Sequence, residues 1–139
     1  MLEGATDGIV TGSGMSAISA VFLGCLNAGD HVLGGDQLYG RTLRMMTQDL
    51  PRFGIETSLA DPTDIAAMRA AVRPTTQMIV VEVVSNPTIR LADMPALAAL
   101  AAALRALLRV DDPFHTPPPS PPLHRGRHRC LPASHALPA

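Results

Sequence analysis

A glycine-rich turn at residues 12–15 is the first segment whose residue types could do chemistry. It reads Gly-Ser-Gly-Met and lies between a short apolar run and a stretch with helical periodicity. Free backbone N–H groups at a helix start, together with the positive end of the helix dipole, favour an anion such as phosphate. Extended to Ala17 and followed by Asp36, the turn also fits the G-x-G-x-x-A dinucleotide fingerprint. A third interpretation is structural: a tight turn in which Ser13 caps the helix.

Two further segments place a polar side chain where a strand signal ends. Tyr39 is the only tyrosine and lies in a loop between a predicted strand and a predicted helix. Its ring could stack on a planar ligand and its hydroxyl could act as acid or base, although a packing role would also explain it. Asn86 precedes Pro87, which holds it extended with its amide available. An ordinary Asn-Pro turn is the competing interpretation.

A carboxylate, Asp111, closes the last predicted strand of the chain. Burying a carboxylate is costly unless it has a partner. A pyridinium nitrogen, a metal ion or an arginine would serve. The alternative is that Asp111 caps a turn or a helix.

The composition excludes several classes of function. All eleven basic residues are arginine and oppose twelve acidic residues, for a formal net charge of −1, which argues against binding nucleic acid through a basic surface. No apolar run approaches the roughly 20 residues of a membrane span, and no export signal opens the chain. Two cysteines are too few for a disulfide framework, so a cytoplasmic location is expected. Because lysine is absent, these 139 residues cannot complete a mechanism that needs a lysine amine.

The composition changes abruptly near residue 112. Residues 1–112 contain every acidic residue, whereas residues 113–139 contain none but hold eight of the thirteen prolines and four of the five histidines. We expect a folded body over 1–112 and a non-native or disordered tail over 113–139, produced by a shift of reading frame. The tail also holds possible zinc ligands, whose spacing matches no common structural site. They are His124, His128, Cys130 and His135.

Helix and strand signals alternate along the body. Strands are predicted at residues 8–11, 31–33, 55–60, 78–84 and 107–110, and helices at residues 15–26, 40–50, 61–72 and 94–104. The second helix is predicted to stop before Pro51. This alternation is typical of an α/β protein with a mostly parallel sheet flanked by helices. Ligands of such sheets bind beyond the carboxyl ends of the strands, where the candidate residues are expected to converge.

Taken in order, these segments resemble the cysteine/methionine-metabolism family of PLP-dependent transsulfuration enzymes, which includes cystathionine γ-synthase, cystathionine γ-lyase and methionine γ-lyase. The resemblance covers roughly residues 2–117 and implies a partial large domain of the fold-type-I PLP-dependent transferases, with a homotetramer as the assembly of the intact parent. The clearest matching stretches are residues 13–18 (SGMSAI), 28–32 (AGDHV), 38–40 (LYG), 50–55 (LPRFGI), 85–88 (SNPT) and 110–111 (VD).

The resemblance also implies a role for each candidate residue. Gly14 and Met15 would bind the phosphate of pyridoxal 5′-phosphate (PLP) through their backbone N–H groups. Tyr39 would stack on the pyridine ring and assist proton transfer, and Asn86 would contact the cofactor or the substrate. Asp111 would pair with the protonated pyridine nitrogen and so keep the ring an electron sink. The Schiff-base lysine and the C-terminal domain of the family would follow residue 117, where this sequence departs from the pattern.

The expected function is therefore that of a PLP-binding fragment of an enzyme that eliminates or replaces groups at a C–S bond. Its substrates would be small sulfur amino acids such as cystathionine, with no nucleic-acid or membrane partner, and the fragment would be inactive as it stands. One alternative is a Rossmann-type nucleotide-binding module that uses Gly12, Gly14 and Asp36. Another is a non-catalytic metal-binding or interaction protein that works through the tail.

Overall fold

The computed structural model describes residues 9–83 and 91–111. Four parallel strands form one sheet in the order β2-β1-β3-β4. The strands are β1 (His31–Gly35), β2 (Glu56–Ala60), β3 (Thr76–Glu82) and β4 (Leu107–Asp111). The parallel α/β arrangement predicted from the alternating signals is confirmed.

Four α-helices connect and cover the strands: α1 (Gly14–Cys25), α2 (Gly40–Arg44), α3 (Ile65–Ala70) and α4 (Met94–Leu104). Side chains cap three of them, as Ser13, Asp64 and Asp93 accept hydrogen bonds from the first turns of α1, α3 and α4. Such a cap satisfies N–H groups that helical geometry leaves free. α3 therefore begins after Asp64, later than the sequence predicts.

The second helix does not stop before Pro51, so that prediction is wrong. α2 continues through a π-helical turn (Met45–Asp49) into a 3-10 turn (Leu50–Phe53). Pro51 lies at the start of this last turn, where its missing N–H costs no hydrogen bond. The helix ends at Gly54, which has φ 75° and donates its N–H to Leu50 and Pro51, a conformation that glycine adopts without strain.

Apolar side chains fill both faces of the sheet. Met78 and Val80 of β3 point to the layer that contains Phe22 of α1, whereas Ile79 and Val81 point to the layer that contains Leu97 of α4. This alternation follows from the two-residue period of a strand. We call the first side the α1 face of the sheet.

The short run at residues 8–11 is not a strand in the part that the structure describes. Ile9 and Val10 are almost fully exposed, and β-type residues alone do not make a strand without a neighbour to pair with. Residue 8 and the predicted tail at 113–139 lie outside the described residues. Within the described ranges, none of the helices has the length and apolar character to cross a membrane.

The first helix packs on the α1 face of the sheet through Ile18 and Phe22. Cys25 ends α1, and a five-residue loop leads to His31, the first residue of β1. Because the chain reverses over so short a loop, we expect the N-terminus of α1 to lie towards the carboxyl ends of the strands.

Candidate functional site

Two carboxylates end the neighbouring strands β3 and β4 of the sheet. Glu82 of β3 and Asp111 of β4 are partners in the strand register, and both are buried. Each follows the α1-face residues of its strand at two-residue spacing, so both side chains lie on that face. Two buried negative charges this close require compensation.

A buried arginine supplies part of that compensation. Arg109 lies two residues before Asp111 on the same strand and is only 2% exposed. Its Nη2 donates a hydrogen bond to Oδ2 of Asp111 at 3.2 Å, and its guanidinium lies 5.8 Å from the centroid of the Phe22 ring. Of the three partners proposed for Asp111, the structure therefore contains the arginine.

The two carboxylate oxygens of Asp111 differ in their partners. Oδ1 is buried and has no hydrogen-bond partner among the described residues. A buried acceptor without a donor is unfavourable, and the vacant lone pairs match a ligand N–H. Asp111 is the last residue of β4, and the residues that it would cap in the structural alternative lie outside the described part of the chain.

Glu82 joins the strand ends to the loop that carries Tyr39. Its Oε1 accepts a hydrogen bond from the backbone N–H of Tyr39 at 2.6 Å. Burial raises the pKa of the Glu82 carboxyl, and the nearby Asp111 raises it further, while the Tyr39 N–H and the Arg109 charge act in the opposite direction. The ring of Tyr39 does not pack in the core, since the residue is 58% exposed.

The glycine-rich turn forms the start of α1. The hydroxyl of Ser13 accepts a hydrogen bond from the N–H of Ser16 at 3.1 Å, so the predicted capping role of Ser13 is confirmed. The N–H groups of Gly14 and Met15 precede the first donor that helical geometry can pair within the helix. Their position at the helix start, on the α1 face, suits an anion.

The structure places four of the five predicted site residues. Tyr39 and Asp111 both adjoin Glu82, and Gly14 and Met15 open the helix that covers the same face. Asn86 lies outside the described residues, as do the tail residues proposed as zinc ligands. The convergence of Tyr39, Asn86 and Asp111 with Gly14 and Met15 into one site stays a prediction. No group of three or more His, Cys, Asp or Glu side chains within residues 9–83 and 91–111 could hold a metal ion.

Sequence reasoning missed Glu82 and Arg109. Both are charged residues inside otherwise apolar strands, at positions where the side chain faces the core. That interruption of an apolar run was the available signal, because a charge is rarely placed in a buried strand without a partner. A shallow cleft adjoins Glu82 and is also lined by Gln37, Leu38 and Asp61.

Comparison with known proteins identifies similar chains throughout this region. Residues 1–128 match the family described as Cys/Met metabolism PLP-dependent enzyme. The chain is 43% identical over 125 residues to cystathionine β-lyase MetC of Bacillus subtilis (strain 168), covering 90% of this chain and 32% of that protein. It is 42% identical to O-succinylhomoserine sulfhydrylase of Pseudomonas aeruginosa PAO1, covering 90% of this chain and 31% of that protein.

Solved structures show the same similarity. The fold superimposes on cystathionine γ-lyase from Lactobacillus plantarum complexed with L-serine, with a TM-score of 0.85 and 36% identity, covering 91% of this chain and 33% of that one. The chain spans about a third of the length of the curated relatives it matches. The relatives differ in reaction, so the similarity favours the family over a Rossmann-type module without selecting one activity.

Proposed function

Because the chain belongs to the Cys/Met metabolism PLP-dependent enzyme family, we propose that it binds PLP at the carboxyl ends of β3 and β4. The parent reaction would be elimination or replacement at a C–S bond of a sulfur amino acid, of the cystathionine γ-lyase or γ-synthase type. The observation that carries the proposal is the buried Oδ1 of Asp111, which has no hydrogen-bond partner in the part of the chain that the structure describes.

The residues present fit the cofactor. A protonated pyridine nitrogen would donate its N–H to Oδ1 of Asp111, while Oδ2 remains bonded to Arg109. The buried groups Glu82, Asp111 and Arg109 sum to one negative charge when all are ionised, which a pyridinium cation would neutralise. When bound, PLP supplies an electron sink for carbanion chemistry.

The remaining candidate residues have roles that follow from their positions. The N–H groups of Gly14 and Met15 at the start of α1 would bind the phosphate. The exposed ring of Tyr39 would stack on the pyridine ring, and its hydroxyl would be available to move a proton. Asn86 would contact the cofactor or the amino-acid substrate.

We further propose that these 139 residues bind PLP without catalysing the reaction. The sequence contains no lysine, so no side-chain amine can anchor the cofactor covalently or shuttle protons. Loss of a general base alone costs about 10²–10⁴-fold in rate. The proposal of a shifted reading frame over 113–139 predicts that another frame of the genomic DNA encodes a Ser-x-Thr-Lys segment. DNA without such a segment would contradict it. A cytoplasmic location and a homotetrameric parent are part of the same proposal.

Titration with pyridoxine 5′-phosphate tests the binding site. This probe keeps the ring and phosphate but lacks the aldehyde, so it cannot react with the N-terminal amine. Tyr39 is the only tyrosine and tryptophan is absent, so intrinsic fluorescence reports on Tyr39 alone. We expect saturable quenching by the probe and none by NAD, which separates PLP binding from the Rossmann alternative.

Matched variants then test the role of Asp111. Asp111→Asn removes a charge-assisted hydrogen bond to the pyridinium, and we expect the Kd for the probe to rise about 10–100-fold. Asp93→Asn is the control, because it makes the same chemical change at a helix cap that asparagine also serves well. An Asp111→Asn protein that retains its far-UV circular dichroism and binds as tightly as the parent would contradict the assignment.

A further inference from the structure

A hydrogen bond connects the loop bearing Tyr39 to the end of β3. The loop is held on one side by Leu38, which is buried in the core of the α1 face. On the other side, the N–H of Tyr39 donates to Oε1 of Glu82. Between these two anchors the Tyr39 ring is exposed, so its direction depends on how firmly the backbone below it is held.

The helix that follows holds Tyr39 through its carbonyl, which accepts a hydrogen bond from the N–H of Leu43 at 3.0 Å, but it does not hold the N–H of Tyr39. Tyr39 occupies the position before α2 and makes no side-chain capping hydrogen bond. α2 is only five residues long before the helical geometry changes. The contact with Glu82 spans 43 positions of sequence and is therefore a tertiary contact that fixes an otherwise local turn.

We propose that Glu82 is a positioning residue, which holds the Tyr39 loop against the strand ends so that the Tyr39 ring faces a ligand bound at Asp111. The importance of this role for PLP rests on the proposed function, whereas the contact itself does not. An ionised carboxylate is the stronger acceptor for an N–H group. Burial and the neighbouring Asp111 raise the pKa of Glu82, so protonation at mildly acidic pH would weaken the hold on the loop.

Acrylamide quenching of Tyr39 fluorescence, without any ligand, tests the proposal on the full 139-residue chain. In Glu82→Ala we expect the quenching constant to rise, by about 1.7-fold at most, because Tyr39 is already 58% exposed. Glu82→Gln keeps an oxygen acceptor of the same length but loses the negative charge, so we expect a value between those of the parent and Glu82→Ala. Glu56→Ala is the control, since Glu56 is an exposed carboxylate at the other end of the sheet, paired with Arg73.

Binding of pyridoxine 5′-phosphate to the same proteins distinguishes the positioning role of Glu82 from the proposed binding of PLP. We expect its Kd to rise about tenfold in Glu82→Ala, to rise less in Glu82→Gln, and to change by less than about twofold in Glu56→Ala. If acrylamide quenches Tyr39 no more in Glu82→Ala than in the parent, the positioning role is wrong. A rise in quenching with no ligand bound by any protein would support the contact and refute the proposed function.

A pH titration keeps the proposal testable if Glu82→Ala fails to fold. Acrylamide quenching of the parent should increase as the pH falls through the raised pKa of Glu82, at a midpoint above its ordinary value of 4.5. Among the residues that the structure describes, the ionisable groups around Glu82 are Asp111 and Arg109 of β4 and Asp61, which lines the same cleft. All three are present in Glu82→Gln, which should show no such transition. Superimposable curves for the two proteins would overturn the proposal.

Discussion

Replacing Arg109 by methionine tests the electrostatics of the buried cluster. Methionine matches the aliphatic stem of arginine but ends short of the guanidinium, which lies near Phe22, so the substitution removes the charge and leaves a small space. Asp111 would then keep a buried negative charge next to Glu82 with its cationic partner removed. A double variant that also neutralises Asp111 separates the charge effect from the lost packing, because the space beside Phe22 is the same in both proteins.

The structure indicates a large effect. The side chains of Arg109 and Asp111 are 2% and 6% exposed, and removing one partner of such a buried pair costs about 3–5 kcal/mol. The free energy of unfolding of a whole domain is about 5–15 kcal/mol, so the variant would lose a substantial part of its stability. Restoring neutrality in Arg109→Met/Asp111→Asn should recover most of the loss, because the two effects are coupled.

Urea denaturation followed by far-UV circular dichroism measures these differences. The control is Arg73→Met, which breaks the exposed ion pair with Glu56, whose side chains are 46% and 57% exposed, and should cost less than about 1 kcal/mol. A loss below about 1 kcal/mol in Arg109→Met, equal to the control, would refute the compensation argument. So would a double variant less stable than Arg109→Met alone.

Two further predictions concern the pH dependence and the core. His31 is fully buried between Thr76 and Ser58, and burial is the main cause that lowers its pKa below 6.5. Because the folded state favours the neutral form of His31, the contribution of this residue to the free energy of unfolding should be fully present above pH 6.5 and decline as the pH falls below 6.5. Urea midpoints measured at about pH 7.5 and about pH 5 would show the decline. His31→Gln should remove that part of the decline, and an unchanged pH profile would contradict it. Phe22→Ala should cost about 3–5 kcal/mol in the same urea assay, and a loss below about 1 kcal/mol would show that Phe22 is not central to the core.

The sequence by itself determined the class of fold and most of its elements. Local signals were sufficient for α4, because the Asp93 cap and the apolar positions of the helix are contiguous in sequence. They were also sufficient for the buried strands β3 and β4, and for the cap of α1 at Ser13. The ordered motifs around Tyr39 and Asp111 indicated the family correctly, since a set of short motifs at defined spacing is more specific than any one of them.

Only the tertiary structure decided which groups meet at the site. The hydrogen bond from Tyr39 to Glu82 and the pairing of Glu82 with Asp111 depend on the register of strands that are distant in sequence, and no local pattern encodes that register. For the same reason the strand predicted at residues 8–11 is wrong over residues 9–11, which the structure describes, because a strand exists only where a neighbour accepts its hydrogen bonds. The tertiary structure also decided that arginine is the partner of Asp111. Arg109 lies on the same face of the strand as Asp111 and close to Phe22 of the covering helix. A guanidinium enclosed in this way must have its charge paired.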